Sequence, residues 1–252
     1  ADFMKAATEV QPGRIMVVFK NADSVLQLIR DARIPNIYVA NKNSENQTAV
    51  SGAQEAIETF AAYLKNAKVM FKALALSGAF HTPLFQSASE KMADYLRGVA
   101  FRPVDFRRVI SNVTAAPYPE DADAVKTLLA RQIVSPVEFI RSVEQVYRSG
   151  HNRFFEIGPG RILVNLLKNI RIDDFQALPS VNAKAGEVAS LQDFKAQRET
   201  QGLLTKKTPT GDTGDRISPV PEPTTTPSQP AMADAEDFDA FLARNEDALR
   251  GV

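Results

Sequence analysis

Apolar positions in the first third of the chain alternate between two kinds of spacing. Arg14-Ile15-Met16-Val17-Val18-Phe19 is a β-branched apolar run and predicts a strand. Asn21 then offers an N-cap for a helix to about Arg33, with Val25, Leu26, Leu28 and Ile29 spaced to cover one face. Ile37-Tyr38-Val39-Ala40 predicts a second strand, the polar stretch Asn41 to Asn46 a turn, and Thr48-Ala49-Val50 a third strand. Ser51 or Gly52 is expected to start a helix to about Lys65, with Ala56, Ile57, Phe60 and Leu64 on one face. Val69 to Leu76 supplies a fourth strand.

The sum is β-α-β-β-α-β, the order of the ferredoxin-like split motif, so a small α/β subdomain is expected over 1–76. Beyond it come a loop at Ser77–Thr82, a helix from Pro83 to about Leu96 and a strand near Val109-Ile110-Ser111. Helices are expected at about Ala122–Gln132 and Pro136–Ser149, a strand at Phe154–Ile157 and a helix at Gly160–Lys168. These elements read as part of a larger α/β body over 77–195. After Lys195 the pattern fades: no aromatic residue falls between Phe194 and Phe238, and six of the 15 prolines lie in Pro209–Pro230 among Thr, Gly and Ser. Such a composition buries too little apolar surface to offset ordering, which predicts a flexible linker over 196–231. Phe238, Phe241, Leu242 and Leu249 then return at helical spacing, so 232–252 is expected to hold an amphipathic helix that starts a further domain or docks on a partner.

Composition narrows the chemistry mainly by exclusion. Lys+Arg and Asp+Glu balance at 30 each, giving no electrostatic reason for nucleic acid or an anionic membrane as partner. With no cysteine there is no thiol nucleophile, disulfide or Cys-based metal site, and two unclustered histidines argue against zinc or haem. No apolar run approaches the length of a membrane span and no signal-peptide pattern is present, so a cytoplasmic protein is the default expectation. The opening Ala1-Asp2-Phe3-Met4 has no initiator Met and no cap signal, which suggests a chain cut from something longer.

His81 is the most informative single residue. It sits in Ser77-Gly78-Ala79-Phe80-His81-Thr82-Pro83-Leu84, between a strand and a helix for which Thr82 suits the N-cap and Pro83 the N1 position. A histidine facing the positive end of a helix is disfavoured as imidazolium, which keeps the ring available as a base. His151, in the polar turn Ser149-Gly150-His151-Asn152, is expected to be exposed and non-catalytic.

Gly78-Ala79-Phe80-His81 resembles the signature at the catalytic histidine of malonyl-CoA:acyl-carrier-protein transacylases and polyketide-synthase acyltransferase domains. Three further stretches resemble that family in the same order: Val39-Ala40-Asn41-Lys42-Asn43-Ser44 with Gln47 to Gly52, Arg131-Gln132-Ile133-Val134-Ser135-Pro136-Val137, and Phe155-Glu156-Ile157-Gly158-Pro159-Gly160-Arg161-Ile162-Leu163. The resemblance runs from about Phe3 to Leu167. It implies that 77–195 is the C-terminal part of an α/β-hydrolase-like acyltransferase body. It also implies that His81 is the catalytic base and that Gln132 presents its backbone carbonyl to it, so Gln132→Ala should matter little. Phe80 would favour malonyl by filling the space of an α-methyl group, Asn41 would lie near the substrate, and the Glu156–Leu163 turn would be structural.

The family's serine nucleophile stands in a Gly-His-Ser-x-Gly elbow, and no Gly-x-Ser-x-Gly occurs here. The resemblance therefore implies an N-terminal acyltransferase segment, upstream of Ala1, carrying the serine and a carboxylate-binding arginine. Alone, the chain is expected to be inactive. No bound cofactor is implied; malonyl-CoA is the substrate, and the acceptor is the phosphopantetheine thiol of an acyl carrier protein. The proline-rich tail favours a polyketide or polyunsaturated-fatty-acid synthase with neighbouring domains. The alternatives are an acyl hydrolase of the same fold, or a docking fragment of a megasynthase.

Overall fold

The computed structural model describes residues 2–10, 12–101, 108–158 and 160–179. The elements are α1 (Asp2–Val10), β1 (Gly13–Val18), α2 (Ala22–Ala32), β2 (Ile37–Ser44), β3 (Gln47–Ala53), α3 (Gln54–Asn66), β4 (Phe71–Ser77), α4 (Gln86–Arg97), α5 (Ala122–Arg131), α6 (Phe139–Arg148), β5 (Arg153–Glu156), α7 (Ile162–Leu167) and β6 (Gln176–Pro179). Short 3-10 turns at Pro83–Phe85 and Gln132–Val134 lead into α4 and follow α5. The expected linker over 196–231 and terminal helix over 232–252 lie outside the described residues.

β1 to β4 form one sheet in the order β2-β3-β1-β4 with antiparallel neighbours. β1 is central, which explains its nearly unbroken apolar run: side chains alternate between faces, and both faces are covered. Met16 and Val18 pack on one side with Val25 and Leu28 of α2 and Ile57, Phe60 and Leu64 of α3. Ile15 points to the other side, joining Ala40, Ala49, Leu74 and Phe80. Asn21 caps α2 as its polarity suggests, its side-chain oxygen accepting from Ser24 N at 2.8 Å.

Four features differ from the sequence pattern, each for a physical reason. The polar residues Asn41 to Ser44 continue β2 instead of turning, because Val137 pairs along its outer edge: Val137 N donates to Ala40 O at 2.8 Å and Lys42 N to Val137 O at 2.9 Å. For the same reason α6 starts at Phe139, not at Pro136. Ser51 and Gly52 do not start α3 but complete β3. Ser51 Oγ donates to Arg14 O at 3.2 Å, and a Cβ on Gly52 would meet Asn36 O at 2.1 Å. Val109-Ile110-Ser111 makes only an isolated bridge, Ile110 to Pro117, because a turn closes over Ser111 to Ala116 and Pro117 has no N–H to extend a ladder. The sequence pattern missed α1 and β6, the latter pairing in parallel with β5 across α7.

Candidate functional site

The loop after β4 is built by two glycines. Gly78 N donates to Gly13 O at 2.8 Å, so the loop leaves the sheet in contact with the start of β1. A Cβ on Gly13 would lie 2.4 Å from Ala79 N, and one on Gly78 would lie 2.7 Å from the Phe80 ring. Gly78 also has φ +133°, a conformation closed to most side chains. Ala79 and Thr82 are fully buried. Thr82 Oγ1 donates to Ala79 O at 2.7 Å and accepts from Leu84 N at 3.3 Å, which caps the 3-10 turn beginning at Pro83.

His81 is held between these buried neighbours with φ 59°. A left-handed histidine costs backbone energy and persists only where its surroundings fix it. The fixing comes from across the fold. His81 N donates to Ile133 O at 3.1 Å, and its Nδ1 lies 3.0 Å from Gln132 O. A carbonyl oxygen can only accept, so Nδ1 carries the proton and Nε2 keeps its lone pair. The ring is half-buried, and the arrangement can accept a proton at Nε2 without changing its anchoring bond.

Of the residues singled out from sequence, the structure thus brings His81 and Gln132 together. Phe80 meets Phe85 edge-on, ring centroids 5.3 Å apart, and packs against both Ile133's cluster and that of Ile15, Ala40 and Ala49. Asn41 stands on β2 at its parallel bridge to Val137, with no hydrogen bond to His81 among the described residues. Glu156 Oε2 accepts from Val164 N at 2.9 Å in the first turn of α7, a structural bond. His151 is exposed, its Nδ1 3.1 Å from Ser149 Oγ. Among the described residues no group of His, Asp and Glu could hold a metal ion, and no helix is long and apolar enough to cross a membrane.

Sequence reasoning missed Lys42 and Glu138. Lys42 Nζ stands 2.6 Å from Glu138 Oε1, and the carboxylate is largely buried. The signal was there: Glu138 interrupts an apolar run, Val137-Glu138-Phe139-Ile140, where a charge needs a partner.

Comparison with known proteins matches residues 3–205 to the acyl transferase domain family. The chain is 32% identical over 162 residues to a component of the polyunsaturated fatty acid synthase of Thraustochytrium sp., covering 64% of this chain and 6% of that protein. It is 31% identical over 169 residues to the polyketide biosynthesis malonyl CoA-acyl carrier protein transacylase PksC of Bacillus subtilis, covering 66% of this chain and 57% of PksC. The crystal structure of malonyl CoA-acyl carrier protein transacylase from Clostridium perfringens superposes with a TM-score of 0.68 at 29% identity, over 81% of this chain and 62% of that one. The chain therefore spans less than two thirds of each of these relatives. With its mixed α/β fold and its matched span of 3–205, the chain belongs to the acyl transferase domain family.

Proposed function

We propose that this chain provides the histidine-bearing part of a malonyl-type acyltransferase, which moves a malonyl group from CoA to the phosphopantetheine thiol of an acyl carrier protein. The observation that carries this reading is the Gln132 carbonyl on His81 Nδ1, because it leaves Nε2 free to act as a base. In the proposed reaction a serine hydroxyl, supplied from upstream of these residues, attacks the malonyl thioester while Nε2 accepts its proton. The C–S bond breaks, and the CoA sulfur leaves with the proton that His81 returns. The carrier-protein thiol then attacks the acyl-serine, His81 again taking and returning one proton. No bound cofactor enters these steps.

In this reading residues 1–76 include the ferredoxin-like subdomain, whose β-α-β-β-α-β order and sheet order support the assignment. Residues 77–195 belong to the C-terminal part of the acyltransferase body. Phe80 restricts the space beside the substrate's α-carbon, and Asn41 lies near the substrate. Similarity to part of a polyunsaturated fatty acid synthase and to a polyketide-pathway transacylase favours a polyketide or polyunsaturated-fatty-acid synthase as the setting, with neighbouring domains as partners.

The test is malonyl transfer by the full-length acyltransferase, with malonyl-CoA and holo carrier protein followed by intact-protein mass spectrometry. A malonylated carrier protein is expected, with loss of that product in His81→Ala. Release of free malonate with the carrier protein left unmodified would replace this reading with acyl hydrolysis.

A further inference from the structure

The segment that presents the Gln132 carbonyl is tied down on both sides. On its N-terminal side Ser89 of α4 donates through Oγ to Ala130 O at 2.8 Å. On its C-terminal side Val137 exchanges two backbone hydrogen bonds with β2, at Ala40 and Lys42. The next residue, Glu138, is 8% exposed, and its Oε1 receives Lys42 Nζ at 2.6 Å. Its second oxygen, Oε2, is buried with no hydrogen-bond partner among the described residues, and Arg141 Nη1 stays 3.9 Å away. Lys42 is therefore the cation that makes this carboxylate tolerable where it is. Without it the site would hold a buried charge with weak compensation.

Placement distinguishes this pair from an ordinary stabilising contact. The link from Gln132 to Glu138 is one 3-10 turn, an extended Ser135, a proline and the paired Val137. Proline fixes its own φ and the turn is hydrogen-bonded, so little slack separates the ion pair from the carbonyl. Glu138 N also donates to Asn112 O at 2.9 Å, so the strap's end is held by backbone as well as by the ion pair.

The geometry points to Lys42 and Glu138 as positioning residues for His81. Their ion pair reinforces the backbone anchor at the C-terminal end of the 130–138 strap, and with it the direction of the carbonyl that holds the proton on Nδ1. This inference rests on the acyl-transfer reading of His81 and assigns the residues that keep the base aligned.

Imidazole 15N NMR of the chain reads the alignment directly, because His151→Gln leaves His81 as the sole remaining histidine. In that background Lys42→Met is expected to move His81 from a single tautomer with Nδ1 protonated to a mixture, and Lys42→Arg to restore the single tautomer. In the full-length acyltransferase, Lys42→Met is expected to lower kcat on the order of 10-fold, through misplacement of the base. KM for malonyl-CoA should stay within about twofold, since substrate contacts are untouched. An unchanged tautomer and kcat overturn the proposal, and so does a raised KM with kcat intact. Should Lys42→Met fail to fold, Glu138→Gln keeps an acceptor for Lys42 while removing the charge, and the same two readouts apply. A wild-type enzyme that transfers no malonyl sinks the functional reading alone, and the NMR arm still decides the positioning role.

Discussion

The chain has two histidines, and each ring has a hydrogen-bond partner at its Nδ1. At His151 the partner is Ser149 Oγ, two residues away in an exposed turn, 3.1 Å distant. At His81 it is a backbone carbonyl 51 positions away, 3.0 Å distant. Ser149 Oγ gives its one proton to Val146 O at 2.7 Å, so toward His151 it accepts, and Nδ1 carries the proton there. A carbonyl can only accept, so it decides the tautomer of His81. The one contact lies within a single turn, whereas the distant one is tied to α4 and β2 through the strap. The two rings thus share a tautomer, and what sets His81 apart is the remoteness and anchoring of its partner.

That contrast can be broken most severely at the rings themselves. In the full-length acyltransferase, His81→Gln is expected to cost about 10²–10⁴ in the rate of malonyl transfer, the usual range for losing a general base. His151→Gln should leave the rate as it was, and equal losses in the two variants would erase the distinction. Next comes the junction that carries His81. Gly13→Ala places a methyl group against the Ala79 backbone and should destabilise the fold by about 1–3 kcal/mol, the range for overpacking, measurable as a lowered Tm. Changing the side chain of the carbonyl donor tests the same contrast more gently. Gln132→Ala keeps the backbone oxygen and should lower kcat by less than about threefold; a larger drop would assign the amide a role of its own. The smallest effect is expected at the other ring: Ser149→Ala should alter only the imidazole 15N signals of His151, with transfer unaffected.

Much of the sheet was legible in the sequence because β1, α2 and α3 bury their apolar stripes within a short stretch of chain. Asn21 could be read as a cap for the same reason, since its partner Ser24 is three residues on. What escaped depends on residues far away in sequence. Asn41 to Ser44 look like a turn until Val137 supplies a neighbour for β2. β6 is four residues long and becomes a strand through pairing with β5 across α7. At the site, His81 and Gln132 were found through resemblance, because nothing in either local sequence says that the two meet. Glu138's place in an apolar run signals a partner, but Lys42 lies 96 positions away, so the sequence does not say which one. Phe80's inward packing was not foreseen either, since its position beside a polar loop gave no hint that two apolar clusters meet on its ring.

The contact between Gly13 and the loop ahead of His81 also bears on inheritance. Every amino-acid replacement reachable from a glycine codon by one nucleotide change adds at least a β-carbon, and here the first atom it would strike is the Ala79 amide nitrogen, 2.4 Å off. Backbone cannot rotate aside as a flexible side chain can. Position 13 is therefore surrounded in sequence space by changes that push on the loop leading to the base, although it lies far upstream of that base along the chain.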